Sequence, residues 1–137
     1  MNIEHAAYNV ADPAGLAKWM AEHLGFRVIF AGGPPKHGRF LADGAGLAVV
    51  EFYRDVDVPG LGDHPPHPMT IHLALVSADP DADRARLVAA GAEPLGEVET
   101  SPAGDRLAMV RAPGGLPIQL VRRATQLKPR PRQGDPA

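Results

Sequence analysis

Cysteine is absent from the 137 residues. That excludes disulfides, thiolate metal sites and a cysteine nucleophile. Aromatic residues are scarce, at 5%. No apolar run approaches the ~18–20 residues that a membrane-spanning helix needs, so no membrane span is expected. Met1-Asn2-Ile3-Glu4-His5 carries an acid and no basic stretch leading into an apolar one. It does not read as a signal peptide, and the cytoplasm is the default location. A strong charge of one sign is also missing, the formal net charge being −2. Residues 122–137 hold five basic side chains and one acid, leaving 9 basic and 15 acidic side chains in residues 1–121. An acidic body with no basic, aromatic-studded face argues against nucleic acid as a partner.

What is there has globular proportions: 45% apolar and 22% charged residues, with 15 glycines and 15 prolines. One turn-rich domain of short elements is the expectation. Asn2 to Val10 reads as a strand. Asp12-Pro13 then opens a helix, since Asp caps and Pro suits the first helical position. Leu16, Trp19, Met20, His23 and Leu24 recur at helical spacing, and Gly25 supplies the stop. Trp19 and Met20 read as core, and His23 as packing at the helix end. Phe26 to Phe30, Gly38 to Ala42 and Leu47 to Tyr53 are strands. After a loop rich in Pro, Gly and Asp, the order restarts. Met69 to Val76 is a strand, and Asp79-Pro80 caps a helix that ends at Gly91. Pro94 to Thr100, Arg106 to Arg111 and Pro117 to Val121 are three further strands.

Both halves therefore read β-α-β-β-β, and landmarks recur in register. His5 and His72 each precede an Asp-Pro pair by seven residues, and Ala11-Asp12-Pro13 returns as Ala78-Asp79-Pro80 at an offset of 67. Glu51 and Gln119 hold the matching place in the last strand of each half, at an offset of 68. This is an internal duplication with a one-residue insertion.

The duplication singles out four residues: His5 and His72 in the first strand of each half, Glu51 and Gln119 in the last. By alternation they face one side of their sheets, and sheets curling toward a common cleft would bring them together. Two imidazoles, a carboxylate and an amide oxygen suit a divalent ion of intermediate hardness: Zn, Ni, Co, Mn or Fe. Such an ion polarises a substrate oxygen and lowers the pKa of bound water. A carboxylate within Val49-Val50-Glu51-Phe52-Tyr53 is costly to bury unless something pairs with it.

These halves and positions resemble the vicinal oxygen chelate superfamily, which includes glyoxalase I, bleomycin-binding proteins and extradiol dioxygenases. Ala21-Glu22-His23-Leu24-Gly25-Phe26-Arg27 is similar to the family's helix end. Pro113-Gly114-Gly115-Leu116-Pro117-Ile118-Gln119-Leu120 resembles its closing Asp-Pro-x-Gly-x-x-x-Glu-Leu run. The resemblance implies an α+β fold of two tandem βαβββ modules whose curved mixed sheets form a cleft. Its domain spans residues 1–123, as module 1–54, loop 55–68 and module 69–123. Residues 124–137 form a Pro/Arg-rich tail, expected to be extended or flexible. It also implies metal positions at His5, Glu51, His72 and Gln119. Gln119 departs from the family's usual Glu, and an amide does not accept a proton at neutral pH. Any proton abstraction then falls to Glu51, the candidate catalytic base, or to a metal-bound hydroxide.

Two functions follow as expectations. One is a glyoxalase-like lyase or isomerase acting on a small substrate with adjacent oxygens through a metal-stabilised enolate. The other is a metal-free binding protein for a drug or metabolite, of the bleomycin-resistance type. A homodimer is expected, with modules pairing within one chain or across two. His64 and His67 read as solvated loop residues. His37, with Lys36 and Arg39 nearby, reads as ordinary surface or as a contact for an anionic substrate.

Overall fold

A computed structural model describes residues 1–127. The sequence-predicted tail lies outside the described residues from Lys128 onward. Ten elements follow in two identical series. They are β1 (Ala6–Asn9), α1 (Pro13–Leu24), β2 (Arg27–Ala31), β3 (Arg39–Ala42) and β4 (Val49–Tyr53), then β5 (Leu73–Val76), α2 (Pro80–Ala89), β6 (Glu93–Thr100), β7 (Arg106–Arg111) and β8 (Pro117–Arg122). The first four strands form one sheet in the order β1-β4-β3-β2, and the second four form another in the equivalent order β5-β8-β7-β6. In each sheet the first and last strands of the module run parallel and the other pairs antiparallel. The α+β class and the duplicated βαβββ plan are thus present in the folded chain.

The helices start where capping chemistry places them. The Asp12 carboxylate accepts from the Gly15 amide at 2.9 Å, and that of Asp79 accepts from the Ala82 amide at 3.1 Å. Helix α1 stops at Gly25, whose φ of 71° is the left-handed cap that glycine adopts without a Cβ penalty. Its inward face, Leu16, Trp19 and Met20, is buried, as the periodicity predicts. His23 stacks at the helix end, its ring 5.5 Å from that of Trp19.

One apolar core joins the two modules. Leu41, Val50 and Phe52 from the first sheet meet Leu87 of α2 and Val110, Ile118 and Leu120 from the second. Polar contacts cross the same junction: the Trp19 indole donates to the Ala90 carbonyl at 2.9 Å, and Arg86 donates to the His23 carbonyl at 2.7 Å. The linking loop is tied down as well. Leu61 N–H donates to the Asn9 carbonyl at 2.9 Å, and Arg111 donates to the Pro66 carbonyl at 3.0 Å. No helix among the described residues is long and apolar enough to cross a membrane.

Two predicted strands are shorter than their sequence pattern, and both histidines fall outside them. β1 begins at Ala6 and β5 at Leu73, so His5 and His72 immediately precede the strands. Ala6 pairs with Val50, the second residue of β4; before Val49 the chain is in a turn whose Leu47 and Ala48 amides are taken by the Asp43 carboxylate. By register His5 would face Val49, yet the ladder begins one residue later, at Ala6. In the second sheet Leu73 pairs with Ile118, and Pro117 before it has no N–H with which to extend the ladder.

Candidate metal centre

Register places the four residues in matched positions. Ala7 lies opposite Glu51, and His5 is two residues before Ala7. Ala74 lies opposite Gln119, and His72 is two residues before Ala74. Continued one residue past each strand, the side-chain period of two would set each histidine on the face of the carboxylate or amide of its own sheet. The opposite faces of β4 and β8 carry Val50, Phe52, Ile118 and Leu120, which are buried against the helices.

In the first module the pair converges. His5 Nε2 stands 3.3 Å from Glu51 Oε2, with both side chains half-buried. The other ring nitrogen, Nδ1, is engaged by the Glu4 carboxylate. An imidazole nitrogen and a carboxylate oxygen 3.3 Å apart need a proton or a cation between them; a second ring proton and a bound cation both meet that need. Donors bound at ~2.0–2.2 Å to one ion at ordinary coordination angles stand about 3.0–3.5 Å apart, so the spacing fits a pair of ligands. Phe40, opposite Glu51 in the ladder, packs its ring edge-on to that of His5 at 5.3 Å, and Phe30 follows at 5.9 Å. A Cβ built on Gly38 would lie 3.7 Å from Glu51 Oε1, so glycine leaves that side of the carboxylate open.

In the second module, His72 Nδ1 donates to the Pro68 carbonyl at 2.7 Å, which leaves its Nε2 lone pair free for a ligand. Gln119 lines a cavity of about 360 Å³ together with His67, Glu97, Glu99, Leu107 and Met109. His67 is an exposed loop histidine, as expected, and it also borders this cavity. His64, by contrast, lines a separate cleft beside Tyr8 and Ile71.

The chain does not assemble a complete metal centre by itself. Among the described residues no three or more His, Asp or Glu side chains group as an ion site. The structure brings His5 to Glu51, and it puts Gln119 on the other sheet with His72 just before that sheet's first strand. Nor do the basic residues near His37 form an anion site. Arg39 Nη1 donates to the carbonyls of Gly32, His37 and Gly38, and Lys36 sits 3.5 Å from the Asp55 carboxylate and over the Tyr53 ring.

The profile of the glyoxalase/bleomycin resistance protein/dioxygenase superfamily matches residues 2–120. The chain belongs to that superfamily. Solved structures share the fold. A glyoxalase family protein from Enterococcus faecalis is 23% identical, with a TM-score of 0.68 over 88% of this chain and 97% of that one. TnmS3, an antibiotic binding protein from Streptomyces sp. CB03234, is 24% identical, with a TM-score of 0.67 over 90% of this chain and 99% of that one. A glyoxalase I mutant from Zea mays is 22% identical, with a TM-score of 0.66 over 88% of this chain and 45% of that one. No curated protein matches the sequence.

Proposed function

We propose that this superfamily member is a glyoxalase-like metalloprotein that acts on a small molecule with adjacent oxygens, in the manner of an isomerase or lyase. The observation that carries this reading is the 3.3 Å approach of His5 Nε2 to Glu51 Oε2, in a ladder register that His72 and Gln119 repeat. Because a single chain gathers only half of the set, the working form is a homodimer. Each centre takes His5 and Glu51 from one copy and His72 and Gln119 from the other. A divalent ion bound there supplies Lewis acidity toward two neighbouring substrate oxygens. The chain's own residues do the rest. Glu51 is the group able to take a proton, Gln119 offers an oxygen ligand and an N–H₂ donor but no base, and Phe40 and Phe30 wall the approach.

A second reading is a metal-free binding protein for a drug or metabolite. Gln119 in place of an acid favours it, and TnmS3 is an antibiotic binder of the same fold. Elemental analysis of protein purified without an affinity tag separates the two. The metalloprotein reading expects one divalent ion per chain and its loss in the His5→Ala/His72→Ala double variant. Absence of ion uptake after dialysis against zinc, nickel, cobalt, manganese and ferrous salts, with thermal stabilisation by small organic ligands alone, would establish the second reading instead.

A further inference from the structure

The loop before β5 orients two imidazoles in opposite senses. At His72, Nδ1 gives its proton to the Pro68 carbonyl. At His67, Nδ1 receives one, because the Met69 amide donates to it at 3.1 Å. A ring nitrogen that accepts from a backbone N–H holds a lone pair, so the neutral His67 ring carries its proton on Nε2. The turn is closed by the Thr70 amide, which donates to the His67 carbonyl at 2.8 Å. His67 is thereby built as a donor and His72 as a ligand, within six residues.

The cavity beside Gln119 has use for such a donor. Glu97 and Glu99 in its lining only accept, and Leu95, Leu107, Met69 and Met109 have no polar hydrogen to give. Among the described residues lining it, side-chain donors are confined to His67 and Gln119, and Gln119 belongs to the candidate metal set. A ligand oxygen entering the cavity, and above all one that gains negative charge, would otherwise meet carboxylates and hydrocarbon.

We propose that His67 is a ligand-binding residue that donates its Nε2–H to an oxygen of the small molecule held against Gln119. The inference rests on the metalloprotein reading for its setting, but its chemistry concerns the substrate and not the ion. His67 recognises an anionic or polarised oxygen, such as a carbonyl, enolate or hydroxamate oxygen. It is outside the metal set and should not alter ion affinity.

The test uses benzohydroxamate, which offers two adjacent oxygens on an apolar ring, against zinc-loaded homodimer in a calorimeter. His67→Phe keeps a ring and removes both nitrogens; His67→Gln keeps an N–H₂ near the place of Nε2. The expected result is unchanged zinc affinity in both variants, benzohydroxamate binding about tenfold weaker in His67→Phe, and most of that loss recovered in His67→Gln. Ring ¹⁵N spectra of the wild type should show a protonated Nε2 that shifts on adding the probe. Equal binding by wild type and His67→Phe overturns the proposal, as does loss of zinc by His67→Phe, which would make the residue a ligand. If the wild type takes up no zinc, the metalloprotein reading fails by itself, and the same comparison on zinc-free protein decides His67. Weaker probe binding by His67→Phe then upholds the assignment, and equal or absent binding overturns it.

Discussion

The ring of His72 is anchored by the carbonyl of Pro68, with Nδ1 and the oxygen 2.7 Å apart. A histidine so anchored has one tautomer and one ring orientation, which is how metal-ligating imidazoles are usually held. The residue is half-buried at the foot of β5, away from the linker's exposed tip. His72→Ala should lower zinc affinity by more than the roughly 10–100-fold typical of losing an outer partner, with little change in thermal stability. Competition with a chromophoric chelator measures the first quantity, and a melting curve the second.

The split of the four residues between two sheets makes a test of subunit exchange possible. If each centre draws on both chains, a heterodimer of His5→Ala and His72→Ala chains contains one centre with both defects and one with none. Mixing equal amounts of the two variants under conditions that allow exchange makes half of the dimers heterodimers, so zinc binding should return to about a quarter of the wild-type stoichiometry, and to about half in the isolated heterodimer. If centres form within a chain, no mixture recovers any.

Gln119 supports a third expectation. It occupies the position that mirrors Glu51, opposite Ala74 as Glu51 is opposite Ala7. An amide brings an oxygen ligand without charge and without a proton-accepting function. Gln119→Glu should bind zinc at least about tenfold tighter, because ligand charge sets much of the affinity for a divalent ion. The same substitution should place a second proton acceptor beside any bound substrate. Zinc competition and deuterium wash-in at an acidic carbon of a bound α-hydroxyketone read the two effects separately.

Much of this architecture is legible in the residues because the signals are local and repeated. Asp-Pro capping, the spacing of Leu16, Trp19 and Met20, and the glycine stop define α1 without reference to the rest of the chain. The duplication then doubles every inference, and it pairs Glu51 with Gln119 although no local pattern distinguishes either. What escapes the sequence depends on partners far along the chain. The strand β5 stops short of His72 because Pro117, which has no N–H, lies opposite it on β8. His67 becomes a cavity residue only through the folded second sheet, and its donor character comes from the Met69 amide. Lys36 and Arg39, adjacent in sequence to His37, are committed to Asp55 and to loop carbonyls that no spacing rule would identify.

Gly115 fixes the linking loop against the β7–β8 turn. Its φ is +103°, and a Cβ there would lie 2.6 Å from the Leu61 carbonyl oxygen. Gly115→Ala therefore combines a disfavoured backbone with a clash against main chain that cannot swing aside. A loss of about 2–4 kcal/mol in unfolding free energy is expected. Gly91→Ala is the control: φ is +104°, but nothing lies within 4 Å of the added carbon. It should cost about 1–2 kcal/mol from backbone strain alone. Urea titrations of the two variants compare the terms directly. Because Leu61 precedes His67 on the same loop, Gly115→Ala should also weaken ligand binding more than Gly91→Ala does.

Acid stability has a defined sign. The Asp43 carboxylate is held below its ordinary value of 3.8, mainly by the Ala48 amide and then by that of Leu47. Asp105 is lowered by the Ala124 amide and the Arg123 guanidinium, and Asp81 by the Arg106 guanidinium. A group whose folded pKa is depressed stabilises the native state fully above its unfolded value. That contribution is lost as pH falls through 3.8 and on through the lower folded value. Stability set by these three groups should thus be level from about pH 7 down to about pH 5 and decline below about pH 4. Asp81 is exposed and Asp43 and Asp105 are half-buried, so each contribution is modest, and that of Asp81 should shrink most in high salt. Asp105→Asn removes the charge that receives Arg123 at 2.7 Å while keeping an oxygen for the Ala124 amide. Its urea midpoint should lie below that of the wild type near neutral pH and converge with it near about pH 2. A constant offset between the two proteins across that range would show that the Asp105 charge does not set the acid limb.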